Sequence, residues 1–172
     1  MKPAFQLIKE TRTMTIFNPE QYLNATMETP LEKRDPLLAS GATPDGCYYA
    51  TIKEVKARQW EGKTEKTAGK SGIAWDVQLE VDVPEAQRST QGTDKRIVFD
   101  SIMLDLTEQG MIDAGKGKNG RLMMYREALD MNKPGDSFSA LKMVGRPVKI
   151  KIDHRPYNNT VQEDVKSVLR AS

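Results

Sequence analysis

Ile73, Trp75, Val77, Leu79 and Val81 alternate without a break with Ala74, Asp76, Gln78, Glu80 and Asp82. Apolar residues at period two share one face of an extended segment, whereas a helix would scatter them around its circumference. This stretch is the clearest strand in the chain. Tyr48, Ala50 and Ile52 alternate in the same way with Tyr49, Thr51 and Lys53, and then Val55 and Ala57 continue one residue out of step. A bulge near Lys53-Glu54 accounts for the slip. A bulge also bends a strand enough to serve two sides of a small barrel.

The rest of the chain extends the pattern. Residues 96–106 read as a third strand, apolar on both faces. If Val98, Ile102 and Leu104 turn inward, then Ile97, Phe99 and Met103 turn out; both faces are open to either reading. Residues 84–94 read as a turn-rich connection, and 110–120, with four glycines and two lysines, as a loop. Helical spacing puts Leu122, Tyr125, Ala128 and Leu129 on one side of a helix over 121–131, stopped by Lys133-Pro134-Gly135-Asp136, with a further helical turn over 138–141. Val148, Ile150 and Ile152 mark a fourth strand, Asn158-Asn159 a tight hairpin, and 160–169 a fifth. Three strands, a helix and two strands is the order of the five-stranded OB-fold barrel, with its helix between strands 3 and 4.

That domain is expected over 41–172, after the turn signal Gly41-Ala42-Thr43-Pro44-Asp45-Gly46. Residues 1–40 read as a helical or irregular extension, polar and punctuated by Pro3, Pro19, Pro30 and Pro36. Asn18 can cap a short helix over 18–27, with Pro19 at its first position, Gln21 at the capping-box position, and Phe17, Tyr22 and Leu23 as anchors. Met14 is an alternative start.

Several function classes are excluded early. No apolar run approaches membrane-spanning length, and no secretory signal is visible, so a cytoplasmic protein is expected. One cysteine, Cys47, and one histidine, His154, rule out a disulfide framework and the usual zinc modules. Residues 57–64 and 69–71 imitate a phosphate loop, but no helix follows on which the phosphates could rest. Cys47 lacks a nucleophile's setting, and the acidic residues form no two-metal cluster. The chain reads as a non-enzyme without a cofactor or metal.

A small overall charge of +2 hides local basic stretches. Residues 46–75 carry six basic against three acidic residues, 76–94 one against five, and 116–155 ten against four. Single-stranded nucleic acid offers phosphates to cations and bare base faces to aromatic rings. Tyr49, Lys53, Lys56, Arg58 and Trp60 form an outward row leading into a loop with Lys63, Lys66 and Lys70. Lys149, Lys151, His154, Arg155 and Tyr157 supply a second strip, ending where an OB-fold presents the jaw formed by its strand 4–5 loop. Phe99 joins this set if its strand turns it outward. Trp60 has two readings, a stacking platform or a cap on the barrel end, while Trp75 reads as core and Tyr125 as helix packing.

With these residues the chain resembles phage-encoded single-stranded DNA-binding proteins and related small proteins of phage replication and recombination regions. The features are Phe17-Asn18-Pro19 with its short helix, the strand from Gly46 to Ile52, Arg126-Glu127-Ala128-Leu129, and Gly145-Arg146-Pro147-Val148-Lys149-Ile150-Lys151-Ile152-Asp153-His154-Arg155-Pro156-Tyr157. The likeness covers most of 16–169 as a pattern of spacing and residue type. It implies an OB-fold that coats and protects single-stranded DNA with little sequence preference during DNA replication or recombination. Several such proteins recruit partners through an acidic tail, a feature that Val168-Leu169-Arg170-Ala171-Ser172 does not show. The expected partners are single-stranded DNA, replication or recombination proteins, and a second copy pairing along an open strand edge, with no membrane. A different class, an OB-fold module docking on a replication or recombination enzyme, suits the acidic 76–94 stretch and the tail-like extension.

Overall fold

The structure is a computed structural model that describes residues 18–172. The alternative start at Met14, the Phe17 anchor and the remainder of 1–17 lie outside the described residues. The chain divides into two compact units, Met1–Lys33 and Arg34–Ser172. In the first, Pro19–Asn24 forms a 3-10 helix rather than an α-helix over 18–27, and the Asn18 side chain accepts a hydrogen bond from the Glu20 N–H. Leu23, Met27 and Leu31 are exposed there, and none of the helix's own described residues is buried.

The second unit is mainly β. Strands β1 (Tyr48–Glu61), β2 (Ser71–Asp82), β3 (Lys95–Met103), β4 (Pro147–Tyr157) and β5 (Thr160–Arg170) form one antiparallel sheet in the order β3-β2-β1-β4-β5. The expected bulge is present. Ile52 pairs with Leu79 and Glu54 with Gln78, leaving Lys53 as the extra residue. Before it, Tyr48, Ala50 and Ile52 are buried; after it, Val55 and Trp75 pack against the core. A second irregularity, absent from the sequence reading, falls where Lys151 pairs with Ser167 but Ile152 with Val165, leaving Lys166 extra. The β4–β5 hairpin turns at Asn158 and Asn159, both at positive φ as a tight two-residue turn demands.

Helix α1 (Glu85–Gln91) replaces the turn-rich connection read for 84–94. Its buried residues are Gln87 and Gln91 rather than apolar side chains, so hydropathy carried no trace of it. Both amides are satisfied: Gln87 bonds the Tyr48 hydroxyl, and Gln91 bonds the Asp35 carbonyl. Helix α2 (Gly120–Ala128) lies between β3 and β4, as expected, and buries Leu122, Tyr125 and Ala128. A 3-10 turn follows at Ala140–Met143.

The compact unit begins before the expected boundary at residue 41. Leu37 is fully buried in the core. Its N–H donates to Glu163 at 2.7 Å, and its carbonyl meets His154 Nε2 at 2.6 Å. Among the described residues no helix is long and apolar enough to cross a membrane.

The outer strands β3 and β5 share no ladder, yet the sheet curls enough to bring their side chains together. Arg96 on β3 pairs with Glu163 on β5 at 2.6 Å, with both side chains largely buried. Arg121, at the start of α2, reaches Asp100 on β3 at 2.7 Å and the Val165 and Lys166 carbonyls on β5 at 2.5 and 3.1 Å. Tyr125 donates its hydroxyl to the same Asp100 oxygen at 2.7 Å. Burial, then the Asp100 charge, push the Tyr125 phenol far above its ordinary range, so it stays a donor at any working pH.

Candidate nucleic-acid interface

The period of each strand sorts the site residues. On β3, Val98 and Ile102 are buried while Ile97, Phe99 and Met103 face solvent. This resolves the ambiguity of that strand, and Phe99 is 66% exposed. The register then builds the outer face: Phe99 opposite Gln78, Gln78 opposite Glu54, Ser101 opposite Asp76, Asp76 opposite Lys56, and Met103 opposite Ala74, itself opposite Arg58. At the other side of β1, Tyr49 stands directly across from Lys149. Tyr49 is 49% exposed. Lys151 is exposed farther along β4, followed by Arg155 and Tyr157, whose ring is 55% exposed.

A cleft of about 630 Å³ opens along the β3–β5 boundary, lined by Lys56, Asp76, Gln78, Phe99, Arg121 and Asp164, among others. It joins elements distant in sequence. Phe99 supplies the apolar ring of the lining, Lys56 lines the same cleft, and Asp164 ties the rim to Arg155 at 2.8 Å. The lining carries two cations, Lys56 and Arg121, against three carboxylates, Asp76, Asp100 and Asp164.

Most cations of this face already have a carboxylate partner. Lys53 meets Glu80 at 3.5 Å, Lys56 meets Glu54 at 3.1 Å, Arg58 meets Asp76 at 2.6 Å, and Lys149 meets Asp45 at 3.1 Å. Burial alone would raise Asp76, but hydrogen bonds from Ser101 and Arg58 outweigh it and hold the carboxyl below its usual range. A hydrogen bond from Thr43, helped by Lys149, takes Asp45 down to about 2; the Asp45 bond in turn raises Lys149. Lys63, Lys66, Lys70 and Lys151 are exposed and have no ion pair among the described residues.

Two expected site residues stand apart. Trp60 is half-buried, its ring against Gly72 on the neighbouring strand: a Cβ on Gly72 would lie 2.8 Å from Trp60 Nε1. Part of the ring is therefore already covered. His154 follows the inward phase of β4, pairs with Glu163 and holds the Leu37 carbonyl, which makes it a structural tie. Arg121, Gln78 and Asp164 enter the cleft without having been singled out as site residues. Their signal lay in the register across strands, which one strand's periodicity does not contain. No metal-binding group of three or more His, Cys, Asp or Glu occurs among the described residues. No protein-family model and no curated protein sequence matches the chain.

Proposed function

We propose that this chain is a non-catalytic, single-stranded DNA-binding protein with an OB-type barrel, coating unpaired strands with little sequence preference in phage replication or recombination. The strand order, the helix between the third and fourth strands and the approach of β3 to β5 support the OB reading. The observation that carries the function is Phe99: a large apolar ring, two-thirds exposed in an open cleft that Lys56 also lines. Exposing such a ring is unfavourable without a ligand, and stacking on a base recovers about 1–3 kcal/mol per base whatever its sequence. Tyr49 and Tyr157 extend the series on the same side of the sheet.

Titration of fluorescent oligo(dT) into the full chain tests this. The expected result is a nanomolar-to-micromolar Kd that weakens steeply with salt, and a roughly tenfold loss in Phe99→Ala. No binding at low salt sinks the proposal. The second reading, a module that docks on a replication or recombination enzyme, draws on the exposed apolar stripe Ile97, Phe99 and Met103 and on the internal pairing of most face cations. A gel shift with single-stranded against double-stranded DNA separates them, since a docking module retards neither.

A further inference from the structure

The candidate surface carries two kinds of cation, and the difference assigns them different tasks. Lys53, Lys56, Arg58, Lys149 and Arg155 are each within 3.5 Å of a carboxylate of the same chain. The β1–β2 loop has another character. Its lysines, Lys63, Lys66 and Lys70, are exposed and without ion pairs among the described residues, and its one carboxylate is Glu65. The loop is nevertheless ordered. Gly62 donates to the Lys70 carbonyl at 2.8 Å, and the Thr64 and Thr67 hydroxyls bond at 2.8 Å. The lysines thus project from a defined turn.

Resting on the nucleic-acid reading, we propose that the sheet face is a charge-exchange surface gated by its own carboxylates. The β1–β2 loop makes the first, unopposed contact with the phosphate chain. The paired cations follow: a phosphate takes the place of Asp76 on Arg58 and of Glu54 on Lys56, and the released carboxylates keep their bonds from Ser101 and Gln78. Both pairs lie at least a third exposed, where such a bond is weak enough to exchange. Arg58 holds its alternative partner in place, because Ser101 accepts from Arg58 at 3.2 Å and donates to Asp76 at 2.6 Å. Loss of the Asp76 bond therefore leaves Arg58 anchored on Ser101, itself in the cleft lining. A polyanion of high charge density wins this exchange because it presents phosphates in series, whereas a lone anion meets the carboxylate on equal terms. The gate raises the threshold for weak anions.

The test compares affinities for oligo(dT) at fixed salt in the full chain. Asp76→Asn should bind about threefold to fivefold tighter than wild type, the scale of one exposed ion pair. Glu85→Gln, on α1 and outside every ion pair among the described residues, makes the same change in net charge and should bind nearly as wild type. In an Arg58→Ala background the gain from Asp76→Asn should vanish. Glu54→Gln with Lys56→Ala repeats the cycle at a second pair, should the first disturb folding. Replacing Lys63, Lys66 and Lys70 by Ala should flatten the slope of log K against log salt by about 2, at roughly 0.7 per phosphate contact. Wild-type binding with Asp76→Asn no tighter than Glu85→Gln, and Glu54→Gln equally silent, overturns the exchange alone. Absence of wild-type binding removes the nucleic-acid reading and this inference together.

Discussion

The β1–β2 boundary and the β3–β5 boundary solve the same problem by different means. The first is a backbone ladder of eleven registered pairs, interrupted once at Lys53. The second has no ladder; Arg121 and the Arg96–Glu163 pair span it instead, and the Leu37 N–H holds the same Glu163 carboxylate from the segment before β1. A ladder is built from groups every residue possesses, so it tolerates substitution. A boundary held by side chains depends on a few named residues and leaves room beside them, and the Phe99 cleft occupies that room. The cleft therefore adjoins the side-chain-held boundary and reaches across the ladder to Gln78, Asp76 and Lys56.

The sharpest way to break this contrast is Arg121→Ala. The substitution removes two charge-assisted bonds to Asp100 and two bonds to β5 carbonyls, leaving the largely buried Asp100 carboxylate with Tyr125 as its remaining partner. Removing one member of a buried pair costs 3–5 kcal/mol; with the Arg121 side chain one quarter exposed, a loss of about 3 kcal/mol is expected in urea unfolding. A loss below 0.5 kcal/mol would mean that apolar contacts alone hold the outer strands together. Glu163→Gln comes next, at about 2 kcal/mol. Its amide can still accept from Leu37, so only the charge on Arg96 is left unmatched. Hydrogen exchange should localise the effect to β5 and residues 34–38. Uniform acceleration across β1 and β2 would contradict a separate, side-chain-held boundary.

The same contrast explains what could be read from the amino-acid string. Alternation is a local property, and the ladder follows from it. The strand at Ile73–Val81, the phase slip at Lys53 and the Asn158-Asn159 turn were all legible for that reason. The β3–β5 boundary draws on Leu37, Arg96, Asp100, Arg121 and Glu163, and no short window holds two partners of any of its contacts. Helix α1 escaped notice because it buries glutamines, whose partners Tyr48 and Asp35 lie far away in sequence. The basic rows were visible, but their neutralisation was not. Arg58 meets Asp76 eighteen residues on, and Lys149 meets Asp45 across more than a hundred.

On the ladder side, Gly72→Ala should cost about 1 kcal/mol. Its Cβ would come within 2.8 Å of Trp60 Nε1, and the ring must move, although its half-exposed position lets it do so cheaply. A red shift of Trp fluorescence with near-native stability is the expected signature. A loss as large as that of Arg121→Ala would erase the distinction between the two boundaries.

The smallest expected effect concerns Asp45 and Lys149, which lie where β4 pairs with the start of β1. Thr43 and Lys149 hold the Asp45 carboxyl at about 2, against an ordinary value of 3.8. A group with a lowered folded pKa binds protons more readily when unfolded, so its contribution is complete above the unfolded value and disappears as pH falls through the folded one. Stability from this pair should be constant above pH 5 and decline between about pH 4 and pH 2. Asp45→Asn should flatten that part of the acid-unfolding profile while leaving neutral-pH stability almost unchanged, because the pair is exposed and adjoins a backbone ladder that persists without it. A chemical-shift titration that finds the Asp45 carboxyl near 4 would show that the Lys149 side chain is not held there, and Lys149 would then join Lys151 among the cations open to a phosphate from the outset.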